Sequence, residues 1–199
     1  TSLPYLFQTR LETIPANVPY LFSNETKTRQ WREKLGIASK PRIGIAWSGS
    51  VIHLNDANRS IRLDEFMPLL SDHIEWHSLQ NEYRSYDRQA LGEHPEICQH
   101  QDDLVDFSDT AALIQCLDLV ICADTSIAHA AGALGKRVWI LVPYVEDPRW
   151  MLERTDSPWY PTATLYRQSK PGNWGEVIQK ARHDLCSMYR GHDDPRNRD

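Results

Sequence analysis

Two apolar segments, LVICA at 119–123 and RVWILV at 137–142, flank a short alanine-rich segment with helical character. Neither segment alternates between apolar and polar residues, as a half-buried strand would. Runs that are apolar almost throughout are typical of strands covered on both faces, as in parallel sheets with helices on either side. We expect these two strands to form the middle of such a sheet.

The same alternation of strand and helix extends over most of the chain. Further apolar, β-rich runs occupy 42–47, 74–79 and 164–167, with a weaker run at Ile97 and Cys98. Helical patterns lie between them, near 64–70, 82–91, 109–117, 126–134 and 174–188. This order predicts an α/β fold, a Rossmann-like three-layer sandwich with a mostly parallel sheet.

The first 40 residues differ in character from the rest. They contain several prolines and one helical segment at 24–36, where Asn24 is a capping residue and Gly36 ends the pattern. We predict an N-terminal arm and helix over 1–40, a nucleotide-binding domain over 41–188, and a polar tail over 189–199 that we expect to be disordered. The irregular start, on Thr1 rather than Met, indicates a piece of a longer protein.

The composition limits the kinds of molecule that the chain is expected to bind. The 199 residues carry a formal net charge of −5, which argues against broad binding of nucleic acid. No apolar run approaches the roughly 20 residues that cross a bilayer. The four cysteines form no CxxC pair, which favours a reducing, cytoplasmic setting and no metal site.

In open α/β sheets, ligands bind beyond the carboxyl ends of the strands. That rule selects the loops WSGS, LQNE, ADTS and PYVEDPRW. In the ADTS loop, Asp124 is placed to cap the following helix, which Gly135 ends. Thr125, Ser126 and His129 then surround the positive end of that helix, and hydroxyls, free N–H groups and a possible imidazolium suit a phosphate. A packing helix with a buried histidine is the alternative.

Other loops supply more groups for an anion. Ser48 and Gly49 in WSGS are predicted to approach phosphate oxygens, and the guanidinium groups of Arg59 and Arg149 are candidates to neutralise a diphosphate. Surface salt bridges are the alternative for both arginines. The sequence contains neither GxxxxGK[ST] nor GxGxxG, so the usual ATPase and dinucleotide fingerprints are absent.

The pattern Asp124-Thr125-Ser126 with His129 resembles the signature of the C-terminal, donor-binding half of GT-B glycosyltransferases, especially the ADP-heptosyltransferase-like group. The phrases GIAWSGS, NRSI, DFSDTAALI, DLVICADTSIAHAAGALGK and DSPWYP also resemble the glycosyltransferase-like domain found behind tetratricopeptide repeats in bacterial proteins. The resemblance covers about residues 40–187. It implies the C-terminal half of a GT-B fold that binds a nucleoside-diphosphate sugar, with the other half and any repeats upstream.

The resemblance also implies residue roles. Phosphate contacts map onto Ser48, Gly49, Thr125, Ser126 and His129, with Arg59 where related enzymes tend to carry a basic residue. Ser126 departs from the family, which often has glycine there. Nucleoside contacts map onto Gln80, Asp106 and Phe107, although Phe107 is equally compatible with the core.

The sequence therefore predicts the donor half of a metal-independent glycosyltransferase that needs no cofactor. The acceptor's general base is expected in the missing half, so this chain alone is expected to be inactive. Three alternatives stay open: a nucleotide-binding module without catalysis, a nucleotide-sugar epimerase, and a domain retained only for packing.

Overall fold

A computed structural model describes residues 3–189. Within them, six parallel strands form one sheet in the order β3-β2-β1-β4-β5-β6. The strands are β1 (Arg42–Ala46), β2 (Glu75–Ser78), β3 (Ile97–Cys98), β4 (Leu119–Ala123), β5 (Val138–Val142) and β6 (Ala163–Arg167). The α/β, Rossmann-like prediction is confirmed, and the sheet is parallel throughout.

Helices connect the strands and cover both faces of the sheet. They are α1 (Leu3–Leu6), α2 (Glu25–Leu35), α3 (Asp56–Arg59), α4 (Leu63–Phe66), α5 (Ser85–Glu93), α6 (Phe107–Gln115), α7 (Ser126–Ala133) and α8 (Trp174–Tyr189). One apolar cluster joins the sheet to α4, α5 and α8, and a second joins it to α2, α6 and α7. These clusters make the three layers that the sequence predicts.

The sequence predicts that β4 and β5 form the centre of the sheet, and this prediction is wrong for β5. Strands β1 and β4 are the central pair, and β5 is second from the edge. All three are buried along their whole length. A strand sequence that is apolar throughout therefore indicates that helices cover both faces of the sheet. It does not indicate how far the strand lies from the edge of the sheet.

The order of the strands reverses between β1 and β4. From β1 the chain moves outward through β2 and β3, and it then returns to β4 and moves outward on the other side. The loops that follow β1 and β4 consequently diverge, and they open a crevice at the carboxyl edge of the sheet.

Capping residues set the helix ends. Asn24 accepts a hydrogen bond from the backbone N–H of Lys27 at 3.1 Å, and Gly36 ends α2 with φ of +66°. The predicted cap and stop of α2 are therefore confirmed. Helix α6 begins two residues before its predicted start, because Asp106 caps it by accepting from the N–H groups of Ser108 and Asp109.

The arm before α2 docks on the C-terminal end of α7. The backbone N–H groups of Tyr20 and Leu21 both donate to the carbonyl of Ala133. Gly135 ends α7 with φ of +69°, and a Cβ there would lie 3.4 Å from Pro19. The arm thus reaches the helix on which the candidate site depends.

The proposed division at residue 40 stays a prediction. Of the polar tail predicted over 189–199, only Tyr189 is described, and it belongs to α8; residues 190–199 lie outside the described range. No helix within residues 3–189 has the length and apolar character to cross a membrane.

Candidate functional site

Two cavities open at the carboxyl edge of the sheet, on either side of the first turn of α7. The first has a volume of about 540 Å³ and the second about 440 Å³. Both are lined by Thr125 and Ser126, where α7 begins. The two cavities therefore meet at the positive end of that helix.

Every residue that the sequence predicts as a site residue lines one of these cavities. The first cavity is lined by Ser48, Gly49, Gln80, Asp106 and Phe107. The second is lined by Arg59, Asp124, His129 and Arg149. The predicted nucleoside residues and the predicted cationic residues thus fall on opposite sides of Thr125 and Ser126.

The cap of α7 is Thr125, and the prediction that Asp124 caps this helix is wrong. The Thr125 hydroxyl oxygen accepts from the backbone N–H of Ile127 at 3.4 Å. Thr125 has the extended backbone of a capping residue, with φ of −137° and ψ of 178°, and Asp124 is one position too early. Asp124 instead contributes its backbone carbonyl, which accepts from Arg59 Nη1 at 3.0 Å.

Arg59 bridges the loops that follow β1 and β4. Besides its bond to Asp124, its guanidinium lies against the backbone of Gly49. Its Nε is buried and has no hydrogen-bond partner within residues 3–189. Arg59 lines the second cavity and has no carboxylate partner within residues 3–189, which suits an anionic ligand.

The backbone of Gly49, which is predicted to approach a phosphate, makes two internal hydrogen bonds. Its N–H donates to Ser60 Oγ at 3.1 Å, and its carbonyl accepts from Arg84 Nη2 at 3.1 Å. Arg84 also pairs with Asp56 at 2.7 Å. The backbone of Gly49 is therefore committed to internal bonds, and its missing side chain makes room for Arg59.

Gln80 holds Ser48 in place. Its side-chain Oε1 accepts from the Ser48 N–H at 3.2 Å, and its Nε2 donates to Ser48 Oγ at 3.0 Å. Both residues are buried. Because Ser48 Oγ accepts from Gln80, its hydroxyl hydrogen remains free to donate into the first cavity. Gln80, predicted to contact the nucleoside, is thus placed to act through Ser48.

Asp106 and Phe107 stand at the rim of the first cavity. Asp106 caps α6 and pairs with Lys27 at 3.2 Å. Bonds from the backbone N–H of Asp109 and from Lys27 lower the pKa of the Asp106 carboxyl. The Phe107 side chain is 60% exposed, so it is not part of the core. An exposed aromatic ring beside a carboxylate is a suitable surface for a nucleoside.

His129 sits between two aromatic rings. Its Nδ1 lies 3.1 Å from the Tyr160 hydroxyl, and its ring stacks on Trp150 with centroids 5.2 Å apart and an interplanar angle of 9°. Burial, followed by the nearby Arg149, lowers the pKa of His129. The lowered pKa favours a neutral imidazole at neutral pH over the imidazolium that the sequence left possible.

Arg149 makes the ion pair that the alternative interpretation anticipated. Its Nε and Nη2 each donate to Asp147, at 2.8 and 2.9 Å, and its side chain is 54% exposed. Its charge is therefore partly balanced, whereas Arg59 has no carboxylate partner among the described residues. Arg59 is the stronger candidate for a diphosphate.

Sequence reasoning missed the positions of Trp150 and Tyr160 around His129. A signal was present in Gly132, a poor helix former inside α7. A Cβ at this position would lie 2.4 Å from the Tyr160 ring. A glycine within a helix indicates that another group packs close to the helix backbone, but it does not identify that group.

No group of three or more His, Cys, Asp or Glu side chains in residues 3–189 is arranged to hold a metal ion. The four cysteines are all unbridged. The second cavity is lined by guanidinium, imidazole, hydroxyl and amide groups, which suit an anion, and also by the carboxylates of Asp124, Glu146 and Asp147.

Comparison with known proteins places the fold in context. No family model matches the chain. The chain is 27% identical over 173 residues to Protein FlbA of Caulobacter vibrioides, a match that covers 82% of this chain and 28% of that protein. The chain therefore corresponds to less than a third of that relative.

A solved structure shares the architecture. The E. coli ADP-heptose LPS heptosyltransferase II superposes with a TM-score of 0.57 at 13% identity, covering 88% of this chain and 55% of that one. This chain thus shares the Rossmann-like α/β fold of about half of that structure.

Proposed function

We propose that this chain is the donor-binding half of a glycosyltransferase and that it binds a nucleoside-diphosphate sugar at the first turn of α7. One observation carries the proposal: two cavities with different chemistry meet at Thr125 and Ser126. The first offers an exposed aromatic ring and polar groups for a nucleoside. The second offers Arg59 and His129 for phosphates.

In this proposal the diphosphate spans the junction of the cavities. The backbone N–H and the hydroxyl of Ser126 bind its oxygens, and Arg59 balances its charge. As the sugar leaves, negative charge grows on the nucleoside diphosphate, and these fixed dipoles and cations stabilise it. The chemistry needs no metal, since protein groups supply the positive charge.

The similarity to a heptosyltransferase supports a sugar-transfer reaction for the whole protein. The acceptor and its general base then belong to an upstream half, as the resemblance implies, and these described residues bind donor without transferring it. Upstream tetratricopeptide repeats and a cytoplasmic setting remain predictions from the sequence.

An NMR titration of the chain with ADP, GDP and UDP tests the binding. We expect one of them to shift the backbone amides of 125–129 and of 48–50 together. Shifts confined to another surface, or none at millimolar nucleotide, would contradict the proposal. Adding the matching nucleotide sugars with no acceptor separates donor binding from an epimerase, which would release isomerised sugar.

A further inference from the structure

The hydroxyl of Tyr160 is the hydrogen-bond partner of His129. The Tyr160 oxygen lies 3.1 Å from Nδ1 of His129, and no other hydrogen bond to this imidazole occurs within residues 3–189. A neutral imidazole has one nitrogen that donates and one that accepts, and the partner at one nitrogen fixes the role of the other. Tyr160 therefore determines whether the other nitrogen of His129, Nε2, is a hydrogen-bond donor or an acceptor.

The chemistry of the two groups favours donation from Tyr160 to His129. A phenol is a good donor and a weak acceptor, whereas the unprotonated nitrogen of an imidazole is a good acceptor. Burial raises the pKa of Tyr160, so its hydroxyl keeps its hydrogen at neutral pH. With Nδ1 accepting, the single ring hydrogen of His129 is on Nε2.

Tyr20 extends this chain of hydroxyls to the N-terminal arm. Its hydroxyl oxygen lies 3.5 Å from that of Tyr160, and its backbone N–H donates to the carbonyl of Ala133. When the Tyr160 oxygen accepts from Tyr20, the hydrogen of Tyr160 is directed to His129. The arm is thus connected to the site through two hydroxyl groups.

The other side of the imidazole is fixed by Trp150. Arg167 donates to the carbonyls of Trp150 and Arg154, at 2.5 and 2.7 Å, and so anchors the loop that carries the indole. The Trp150 ring stacks on His129 and is fully buried. The imidazole therefore has little freedom to turn.

Charged groups also surround the ring. Arg149 disfavours a second proton on His129, while Asp124 and Asp147 favour it. Burial outweighs the carboxylates, and the ring remains neutral. A neutral donor keeps its hydrogen bond to an anion without changing charge.

We infer that Tyr160, directed by Tyr20, is a positioning residue that holds His129 in the Nε2–H tautomer, so that Nε2 donates to a phosphate oxygen of the nucleotide. The inference deepens the proposed function and rests on it for the identity of the ligand. The tautomer itself is a property of the free chain.

The tautomer can be read by long-range ¹H–¹⁵N correlation spectra of the ¹⁵N-histidine-labelled chain, with His129 assigned from a His129→Gln variant. We expect Nε2 to carry the hydrogen in the unaltered chain at pH 7. Tyr160→Phe should give a mixture of tautomers. Tyr20→Phe should give a smaller change in the same direction.

Tyr166→Phe is the matched control. Tyr166, on β6, is also buried, and its hydroxyl donates to Asp184 on α8 at 2.9 Å. We expect it to leave the His129 resonances unchanged. Binding of ADP, GDP and UDP should weaken about threefold to tenfold in Tyr160→Phe, the size of one net hydrogen bond, and should be unaffected in Tyr166→Phe.

A hydrogen on Nδ1 in the unaltered chain would overturn the inference. So would a Tyr160→Phe variant whose His129 resonances and nucleotide affinity match those of the unaltered chain. If the unaltered chain bound none of the three nucleotides, the proposed function would fail. The tautomer assignment would still be decided by the spectra of the free chain.

Discussion

The guanidinium of Arg59 lies directly on the backbone of Gly49. A Cβ at position 49 would be 2.4 Å from Nη2 of Arg59 and 2.8 Å from its Cζ. The same guanidinium donates to the carbonyl of Asp124. One close approach thus ties the loop after β1 to the loop before α7, and it places the cation beside the junction of the two cavities.

Gly49→Ala should therefore displace Arg59. We expect nucleoside-diphosphate affinity to fall about tenfold, since one charge-assisted contact is lost or misplaced. Isothermal titration calorimetry measures the change.

Gly92→Ala is the matched control. Gly92 lies in α5, and no described atom comes within 4 Å of a Cβ there. This change should leave affinity unaltered and raise the free energy of unfolding by about 0.5–1 kcal/mol, because alanine is the better helix former. Equal affinities for Gly49→Ala and Gly92→Ala would contradict the role given to Arg59.

The two arginines of the second cavity should differ in their effect. Arg59→Gln is expected to weaken nucleotide binding by about 1.5–3 kcal/mol, because a partly buried guanidinium without a carboxylate partner is lost. Arg149→Gln should cost less than about 1 kcal/mol, since Asp147 already balances that exposed charge. Calorimetry at one salt concentration compares them, and the reverse order would show that the ligand displaces Asp147 from Arg149.

Gln80 should affect nucleotide binding by positioning Ser48 and not by contacting the base. Gln80→Leu removes both bonds to Ser48, and we expect about 1–3 kcal/mol lower stability from the unpaired N–H group in urea unfolding. Affinities for ADP, GDP and UDP should fall by the same factor. A loss confined to one nucleotide would instead identify Gln80 as a base contact.

Acid should destabilise the fold before the carboxylates titrate. Burial lowers the pKa of His77 and His129, and it lowers that of His100 to about 4 from 6.5. The unfolded chain therefore binds more protons between pH 6.5 and pH 4, so stability is complete above this window and is lost as the pH falls through it. Protonation of His100 alone should lower the free energy of unfolding by about 2 kcal/mol between pH 7 and pH 5.

Urea unfolding at pH 7 and pH 5 measures this loss. His100 lies 3.0 Å from His77, ring nitrogen to ring nitrogen, and its edge packs against Trp31. His100→Asn should lower stability at pH 7 and make it less dependent on pH. An unfolding free energy that is the same at both pH values in the unaltered chain would contradict the assignment of neutral, buried imidazoles.

The sequence was sufficient to predict a parallel sheet covered by helices and the neighbourhood of the site, but it did not give the order of the strands. Apolar runs such as 119–123 indicate burial, and the rule for parallel sheets places the loops that follow the strands at one edge of the sheet, where ligands bind. The predicted site residues, from Ser48 to Arg149, accordingly line two adjoining cavities.

Individual contacts were not predictable in the same way. Asp124 and Thr125 are both good capping residues, and only the backbone angles show that Thr125 is the cap. The proton state of His129 depends on burial by Trp150 and on the hydroxyl of Tyr160, which is 31 positions away in the sequence. Local patterns identify residue types, whereas packing between distant segments sets what each residue does.

Calorimetry of the chain with ADP, GDP and UDP, repeated with His129→Ala and Thr125→Ala, tests the central claim most directly. The donor-site account predicts that one nucleotide binds the unaltered chain and that each substitution weakens binding by about 1–3 kcal/mol. Affinities that are unchanged in both variants would show that the first turn of α7 serves packing alone.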